Sequence, residues 1–474
     1  MNRNQNSPLG RAFLAGLACT ALIAESAQAF AYQERIFIRG GRIIPISGPE
    51  IEEGAVLIEG GKITAVGKGI ETPYDAQVID ATGKVVFPGM IEAHWVRGMD
   101  RVNESYPITP FLSVMDSLDG ASFDFEDALR EGVTTMHVIH GNGQPIAGRG
   151  VVARPLGRIV ENMAVIPDAA LKISFIPRQF ASHVSQYAEM RRVMDELRDQ
   201  LDRLKDKRED DAEREKAKKE EEAKKKDAAK PADEPKAPPK EAKEEDEIEK
   251  RKRVLFDLIR GRVPAFVAVN ATEVPYAIEF ARKNGFLEKT TFVLGADAWK
   301  MVDALAATGR PVVLDPELTH RERDPITGKE IETEVAPIFA KKGVKFALQS
   351  SRGSFAQRYL NTQAAAAVRS GVDRDAALKA ITLWPAEMVG LGDRLGALEK
   401  GRDGNVVILS GDPLSTTTFV EKVVLDGAVA YEREKDPRLQ RLLQGIGPKG
   451  GEKAGATKPA AATDGDKKEG EEKK

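Results

Sequence analysis

Short apolar runs alternate with helical stretches along the middle of the chain. The apolar runs are four to seven residues long and occupy residues 133–139, 265–269, 291–294, 311–314 and 344–348. Stretches with helical periodicity lie between them, for example at 274–283 and 298–308. Strands that alternate with helices predict an α/β fold built on a parallel sheet.

A charged segment at 191–253 interrupts this alternation. Its first part carries an apolar stripe at helical spacing, formed by Met190, Val193, Met194, Leu197, Leu201 and Leu204. From Asp206 to Lys226 no apolar face remains, so this part is either a solvated helix or disordered. The segment could be a partner-binding coiled coil, but we favour a surface insertion.

Both ends of the chain are compositionally distinct. Residues 1–29 combine Arg3 and Arg11, an apolar run at 12–23 and small residues at Ala27 and Ala29, which predicts a cleavable signal peptide and a periplasmic or extracellular protein. The run is too short for a comfortable membrane span. Lipid anchoring at Cys19 is the alternative that we do not favour. At the other end, most of the tail at 434–474 is predicted to be disordered.

Charge and cysteine content argue against a nucleic-acid-binding protein and against a protein stabilised by disulfides. The chain has 71 basic and 74 acidic residues, so nothing indicates a nucleic-acid partner. Cys19 is the only cysteine, and cleavage after residue 29 would remove it. An exported chain of this length would then depend on its hydrophobic core rather than on disulfides.

The most informative motif is the run Val-Val-Phe-Pro-Gly-Met-Ile-Glu-Ala-His-Trp-Val at 85–96. It resembles the first barrel strand of the amidohydrolase superfamily, and within it the imidazolonepropionase-like branch, where the strand usually ends in His-x-His. Residues 36–67 resemble the small β-domain that precedes such barrels. Residues 376–386 and 391–405 resemble the closing helix and the return to that domain.

The resemblance implies an α/β protein with a (β/α)8 TIM-like barrel and a small composite β-domain formed from the N- and C-terminal segments. The expected β-domain comprises residues 32–87 and 393–433, and the barrel comprises residues 88–392, with the charged insertion inside it. The site of such a barrel lies at the carboxyl ends of its strands.

At those strand ends the resemblance implies metal ligands that this sequence lacks. His94 is present, but the degenerate positions are Val96, Ala268, Gly295 and Ser351. Aliphatic side chains offer no electron pair to a metal, and a serine hydroxyl is too weak a base to replace aspartate. We therefore expect no metal cofactor and an unknown set of catalytic residues.

The remaining polar residues define a candidate pocket. Its predicted members are Glu92, His94, His140, Asn142, Arg149, Asn270, Ser350 and Arg352. If Glu92, His94 and His140 converged, they could form a relocated zinc site or an acid/base pair. The interpretation we favour is that His94 is hydrogen-bonded in a polar cleft and that His140 caps a loop. The other three histidines, at 137, 183 and 320, have no metal spacing.

Three functions from different classes follow. The first is an exported, metal-free and catalytically impaired amidohydrolase-family protein that binds or assembles with a partner, either an active relative or a second copy of itself. The second is a hydrolase of non-peptide C–N bonds, in a cyclic amide or an amide-linked peptide, that uses a relocated site. The third is a structural surface protein. Fold alone does not separate them, because function resides in the site.

Overall fold

The computed structural model describes residues 35–225, 251–351 and 357–443. The predicted signal peptide with Cys19, the pocket candidate Arg352 and the tail from residue 444 onward lie outside the described residues. So does the second half of the charged insertion, up to residue 250. Within the described ranges, no helix is both long and apolar enough to cross a membrane.

The strands fall into an N-terminal, a central and a C-terminal group. The first group is β1 (Arg35–Ile43), β2 (Ile51–Glu59), β3 (Lys62–Gly67), β4 (Gln77–Asp80) and β5 (Val85–Pro88). The central group is β6 (Met90–Trp95), β7 (Val133–Val138), β8 (Ile146–Arg149), β9 (Val151–Ala153), β10 (Ala164–Ile166), β11 (Leu171–Ser174), β12 (Ala265–Val269), β13 (Thr290–Leu294), β14 (Val312–Val313), β15 (Thr319–Arg323), β16 (Glu330–Glu334) and β17 (Phe346–Ala347). The last group is β18 (Val406–Leu409), β19 (Val420–Leu425) and β20 (Ala428–Glu432).

The described helices lie mainly between the central strands. They are α1 (Phe123–Arg130), α2 (Val160–Met163), α3 (His183–Lys225), α4 (Arg253–Ile259), α5 (Val274–Lys283), α6 (Val302–Ala307), α7 (Val335–Lys341), α8 (Leu360–Arg369), α9 (Arg374–Lys379), α10 (Leu383–Met388) and α11 (Pro437–Leu443). The prediction of a helix at 274–283 matches α5. At 298–308 the first turn is a 3-10 helix, Ala298–Met301, before α6.

One eight-stranded sheet joins the two ends of the chain. β18 pairs antiparallel with β5, which pairs with β1, so the order runs β20-β19-β18-β5-β1-β2-β3 with β4 beside β1. A separate apolar core lies on this sheet and includes Ile36, Val56, Leu398 and Val424. The expected composite β-domain is therefore confirmed, because β18, β19 and β20 of the C-terminal segment extend the sheet of the N-terminal segment through the pairing of β18 with β5.

The central strands form the barrel wall in two linked sheets. β6 pairs parallel with β7, and β11, β12, β13, β14 and β17 pair parallel in that order. The backbone N–H of Leu348 donates to Ala380 O at 3.0 Å, and that of Ile91 donates to Ile381 O at 2.9 Å. The segment before α10 thus closes the gap between β17 and β6.

One part of the wall runs opposite to the rest. β9 pairs antiparallel with β7, and β8 pairs antiparallel with β11. Only a short loop separates β7 from β8, and a parallel connection needs a crossover of a dozen or more residues. The barrel is confirmed, but it departs here from eight parallel strands.

The charged insertion begins as a single long helix. Met190, Met194 and Leu197 are buried in the main core, and Leu204 is the last buried residue of the stripe. α3 then continues to Lys225, with almost every described side chain after Leu204 exposed. Of the two alternatives for the stretch after Asp206, the structure shows a helix as far as Lys225, and the side chains after Asp206 are mostly exposed as far as Ala217.

Candidate functional site

His94 lies near the end of β6 and is held from both sides. Its Nδ1 is 2.9 Å from Oε1 of Gln349, which follows β17, and its Nε2 is 2.9 Å from Nζ of Lys172 in β11. His94, Gln349 and Lys172 are 7%, 8% and 0% exposed. Three strands that are distant in sequence thus bring an amine, an imidazole and an amide into one buried series of hydrogen bonds.

Strand alternation explains why Lys172 points into the barrel. Its neighbours Leu171 and Ile173 pack in the core between the wall and the helices. Successive side chains of a strand face opposite sides, so Lys172 faces the interior. Burial lowers the pKa of Lys172 to about 7. Burial, together with the Lys172 charge, lowers the pKa of His94 well below its ordinary value, so the imidazole is neutral near pH 7.

Glu92 is fully buried but has other partners. Its Oε1 accepts the backbone N–H of Ser350 at 3.1 Å. Burial raises the pKa of Glu92 to about 7, although the Ser350 hydrogen bonds and the Arg97 charge act in the opposite direction. A register shift between Glu92 and Trp95 interrupts the alternation of β6. The period of two that placed Glu92 beside His94 therefore does not hold through this strand.

Ser350 is also contacted through its side chain. Arg97 donates from Nη2 to Ser350 Oγ at 2.7 Å, and its guanidinium carbon lies 3.6 Å from the ring centroid of Trp95. Cation-π stacking on tryptophan orients the guanidinium. Arg97, which follows β6, thereby fixes the position of Ser350, which follows β17.

His137 and His140 present buried nitrogens to residues 141–150, a segment with glycine at 141, 143, 148 and 150. Nδ1 of His137 is 3.0 Å from Ala93 O, and Nδ1 of His140 is 3.4 Å from Val102 O. Both Nε2 atoms are buried and have no hydrogen-bond partner. A Cβ at Gly150 would lie 2.5 Å from Nε2 of His137. His140 thus contacts the backbone carbonyl of Val102 through Nδ1, while its Nε2 lies 2.8 Å from the position of a Cβ at Gly148.

Three other predicted pocket residues have structural partners. Arg149 donates from Nη1 to Asp168 at 2.6 Å, so its charge is already paired. The carbonyl of Asn142 accepts Ser174 Oγ at 2.8 Å, while Oδ1 of Asn142 is buried without a partner. The backbone N–H of Asn270 donates to Glu273 Oε2 at 2.7 Å, at the start of the turn before α5.

The degenerate positions do lie near the carboxyl ends of their strands. Val96 follows β6, Gly295 follows β13, and Ala268 is the fourth residue of β12. Ser351 comes shortly after β17, and its backbone N–H donates to Gln357 O at 2.8 Å. A Cβ at Gly295 would lie only 2.0 Å from Oδ1 of Asn270, so the amide of Asn270 fills the space next to this glycine.

These residues do not suit a metal ion. No group of three or more His, Cys, Asp or Glu side chains that could hold one occurs in the described part of the chain. Glu92, His94 and His140 have separate partners, and no hydrogen bond or ion pair joins any two of them. The residues of the predicted relocated zinc site therefore do not come together as a ligand cluster.

The sequence pattern did not predict Lys172 as a site residue, nor the role of Gln349. The available signal was a lone lysine inside the apolar run 169–176, which was not predicted to be a strand. A buried lysine is rare unless it is paired. Gln349 carried no local signal, because its contact with His94 spans 255 positions.

A cavity of about 420 Å³ opens at the opposite end of the barrel. It is lined by Pro311 and Lys345, which precede β14 and β17, and by Trp384. Lys345 pairs with Glu387 at 2.6 Å, so its charge is already neutralised. The polar groups that converge on the barrel interior make the carboxyl end the better candidate site.

Comparison with known proteins agrees with the fold. The sequence profile described as "Amidohydrolase family" matches residues 349–431. An amidohydrolase from Thermotoga maritima MSB8 superposes with a TM-score of 0.65 at 28% sequence identity, covering 84% of this chain and 100% of that one.

Curated relatives match over short segments. A dihydroorotase from Geotalea daltonii is 48% identical over 59 residues, which are 12% of this chain and 14% of the relative. A 5-methylthioadenosine/S-adenosylhomocysteine deaminase from Symbiobacterium thermophilum is 27% identical over 146 residues, covering 26% of this chain and 34% of the relative. The chain thus matches these relatives over well under two thirds of their length. The profile match and the superposition over 84% of this chain show that it has the barrel fold of the amidohydrolase superfamily.

Proposed function

We propose that this protein is a binding or assembly protein on an amidohydrolase barrel, without the metal-dependent hydrolysis that the superfamily implies. The observation that carries the proposal is the state of His94. Its Nε2 would be the donor to a metal, but it lies 2.9 Å from Nζ of Lys172. Hydrolytic zinc sites use about three protein ligands, and the strand ends here offer valine, alanine, glycine and serine.

The chemistry of the interior supports this proposal. A neutral imidazole beside an amine forms a hydrogen-bonded pair rather than a charged cluster of ligands. Glu92, which could otherwise act as a general base, is bound to the backbone of Ser350 at 3.1 Å. The polar groups therefore stabilise one another.

A second candidate function rests on the superfamily match itself. The Geotalea relative is a dihydroorotase, and the Thermotoga structure is an amidohydrolase. Under this alternative the protein hydrolyses C–N bonds in a cyclic amide or an amide-linked peptide, within the imidazolonepropionase-like branch. Its site would have to recruit groups that the structure holds in other contacts.

Location and partner complete the proposal. The composition of residues 1–29 supports export to the periplasm or the extracellular space. An active amidohydrolase relative or a second copy of this chain is the partner we propose. The structural-protein alternative would assign the function to the charged insertion instead.

Metal analysis together with an activity assay tests the proposal. The protein is expressed with zinc, manganese or iron in the medium, desalted, and assayed on dihydropyrimidine-type cyclic amides and on dipeptides. We expect far less than one metal per chain and no turnover. Near one equivalent of metal together with turnover would overturn the proposal in favour of the hydrolase. His140→Ala would then show whether His140 holds the metal.

A further inference from the structure

The direction of each hydrogen bond around His94 follows from its neighbours. Gln349 donates from Nε2 to Leu314 O at 2.8 Å, which identifies its Oε1 as the acceptor facing His94. His94 must then donate from Nδ1, and in the neutral ring Nε2 is the acceptor. Among the described residues, the donor placed to fill that acceptor is the amine of Lys172.

Lys172 has no other partner that explains its position. Its side chain is 0% exposed, and no carboxylate pairs with it among the described residues. Burying an amine without a hydrogen bond is strongly unfavourable, so the imidazole is the group that accommodates it. A salt bridge inside the barrel therefore does not account for this lysine.

We propose that the Lys172 amine is an internal substitute for the metal ion, because it occupies the coordinating nitrogen of His94 and orders the barrel interior through Gln349 and Leu314. The inference rests on the proposed metal-free function and deepens it. It assigns a positioning role to Lys172, and it accounts for the retention of His94 where the other ligand positions have changed. The amine donates to the same lone pair that a metal would use, so the two cannot bind at once.

Histidine-selective 15N NMR on the full chain tests this directly. The side-chain resonances of His94 are assigned with His94→Asn and are followed during titration with Zn²⁺ alone. In the parent we expect a protonated Nδ1, an unprotonated Nε2 and no perturbation of the His94 resonances by zinc. Perturbation of these resonances in the parent at stoichiometric zinc would overturn the inference. The titration is read on the parent chain, and a variant is used only for the assignment.

Two variants separate hydrogen bonding from space filling. Lys172→Met keeps most of the volume but removes the donor, so we expect the Nε2 resonance of His94 to shift by several ppm. Lys172→Ala leaves room for a small amine, so n-butylammonium should move that resonance back towards the parent position and raise the Tm. Lys172→Met has no such room and is the matched control.

The outcomes divide clearly. An Nε2 resonance that is the same in the parent and in Lys172→Met would show that the amine does not donate to His94, and would overturn the inference. Turnover of a cyclic amide by the metal-free parent would overturn the proposed function but leave the contact between Lys172 and His94 intact.

Discussion

The backbone N–H of Ser350 donates to Oε1 of Glu92 at 3.1 Å and so joins the segment after β17 to β6. The acceptor is a fully buried carboxyl, and burial raises its pKa to about 7. The contact between β6 and the segment after β17 therefore involves a carboxyl group, that of Glu92, which changes charge near neutral pH.

Glu92 should make stability pH-dependent in a defined direction. In the folded protein the pKa of Glu92 lies above the ordinary value of 4.5. Its contribution to the free energy of unfolding is therefore fully present below about pH 4.5 and is lost as pH rises through about 7. A shift of that size corresponds to about 3 kcal/mol. Glu92→Gln mimics the protonated form and should remove this part of the slope, as measured by urea unfolding from pH 4.5 to 8. Equal slopes in parent and variant would contradict the assignment.

Gly150 should not tolerate a side chain. A Cβ there would lie 2.5 Å from Nε2 of His137 and 2.9 Å from Val138 O, both in β7. Gly150→Ala therefore forces β7 or the backbone at residue 150 to move. Overpacking of this kind costs about 1–3 kcal/mol. Gly48→Ala is the control, because nothing lies within 4 Å of that Cβ. Thermal unfolding should show a lower Tm for the first variant and little change for the second.

The ion pair between Arg130 and Asp436 should contribute measurably to stability. Arg130 donates from Nε to Asp436 at 2.8 Å, and the Asp436 side chain is 5% exposed. Because Asp436 is buried, Asp436→Asn should cost about 1–3 kcal/mol. The control is Glu332→Gln, whose pair with Arg321 is 58% and 53% exposed and should cost at most about 1 kcal/mol. Similar losses in both variants would argue against a special role for burial.

Restoring the metal site should need more than the four ligand positions. Val96→His, Ala268→His, Gly295→His and Ser351→Asp supply ligands, but Asn270 Oδ1 lies 2.0 Å from the Cβ that Gly295→His would add. We expect zinc affinity, measured by chelator competition, only after Asn270→Ala and Lys172→Met are added, because the Lys172 amine occupies Nε2 of His94. A well-folded sixfold variant that binds zinc no better than the parent would show that these positions are not ligand positions.

Limited proteolysis should cut first between Lys205 and Lys250 and after Arg438. The described side chains of α3 beyond Lys205 are almost all exposed, and no apolar stripe anchors them. The wall strands β12, β13, β14 and β17 are buried, so cleavage within them should follow only global unfolding. The hairpin of β15 and β16 is largely exposed and is not part of this test. Early cuts in the four wall strands would contradict this division of the chain.

Local pattern was enough to predict much of the fold. The apolar run at 265–269 coincides with β12, and the helical period at 274–283 coincides with α5. These elements are readable because burial on a strand or helix leaves a period of 2 or 3.6 in the sequence. The composite sheet was also predicted, from the resemblance of residues 36–67 and 391–405 to parts of one β-domain, and β5 and β18 pair across the two segments.

The candidate site is formed by contacts between residues far apart in the sequence, which the local hydrophobic pattern does not predict. His94 meets Lys172 across 78 positions and Gln349 across 255. A one-residue register shift in β6 separated Glu92 from His94, and a short loop after β7 forced an antiparallel strand into the wall. The sequence alone determined that valine, alanine, glycine and serine stand at positions 96, 268, 295 and 351. Only the tertiary structure decided that Lys172 and Gln349 contact His94, because the groups that satisfy a buried donor or acceptor are chosen by long-range packing.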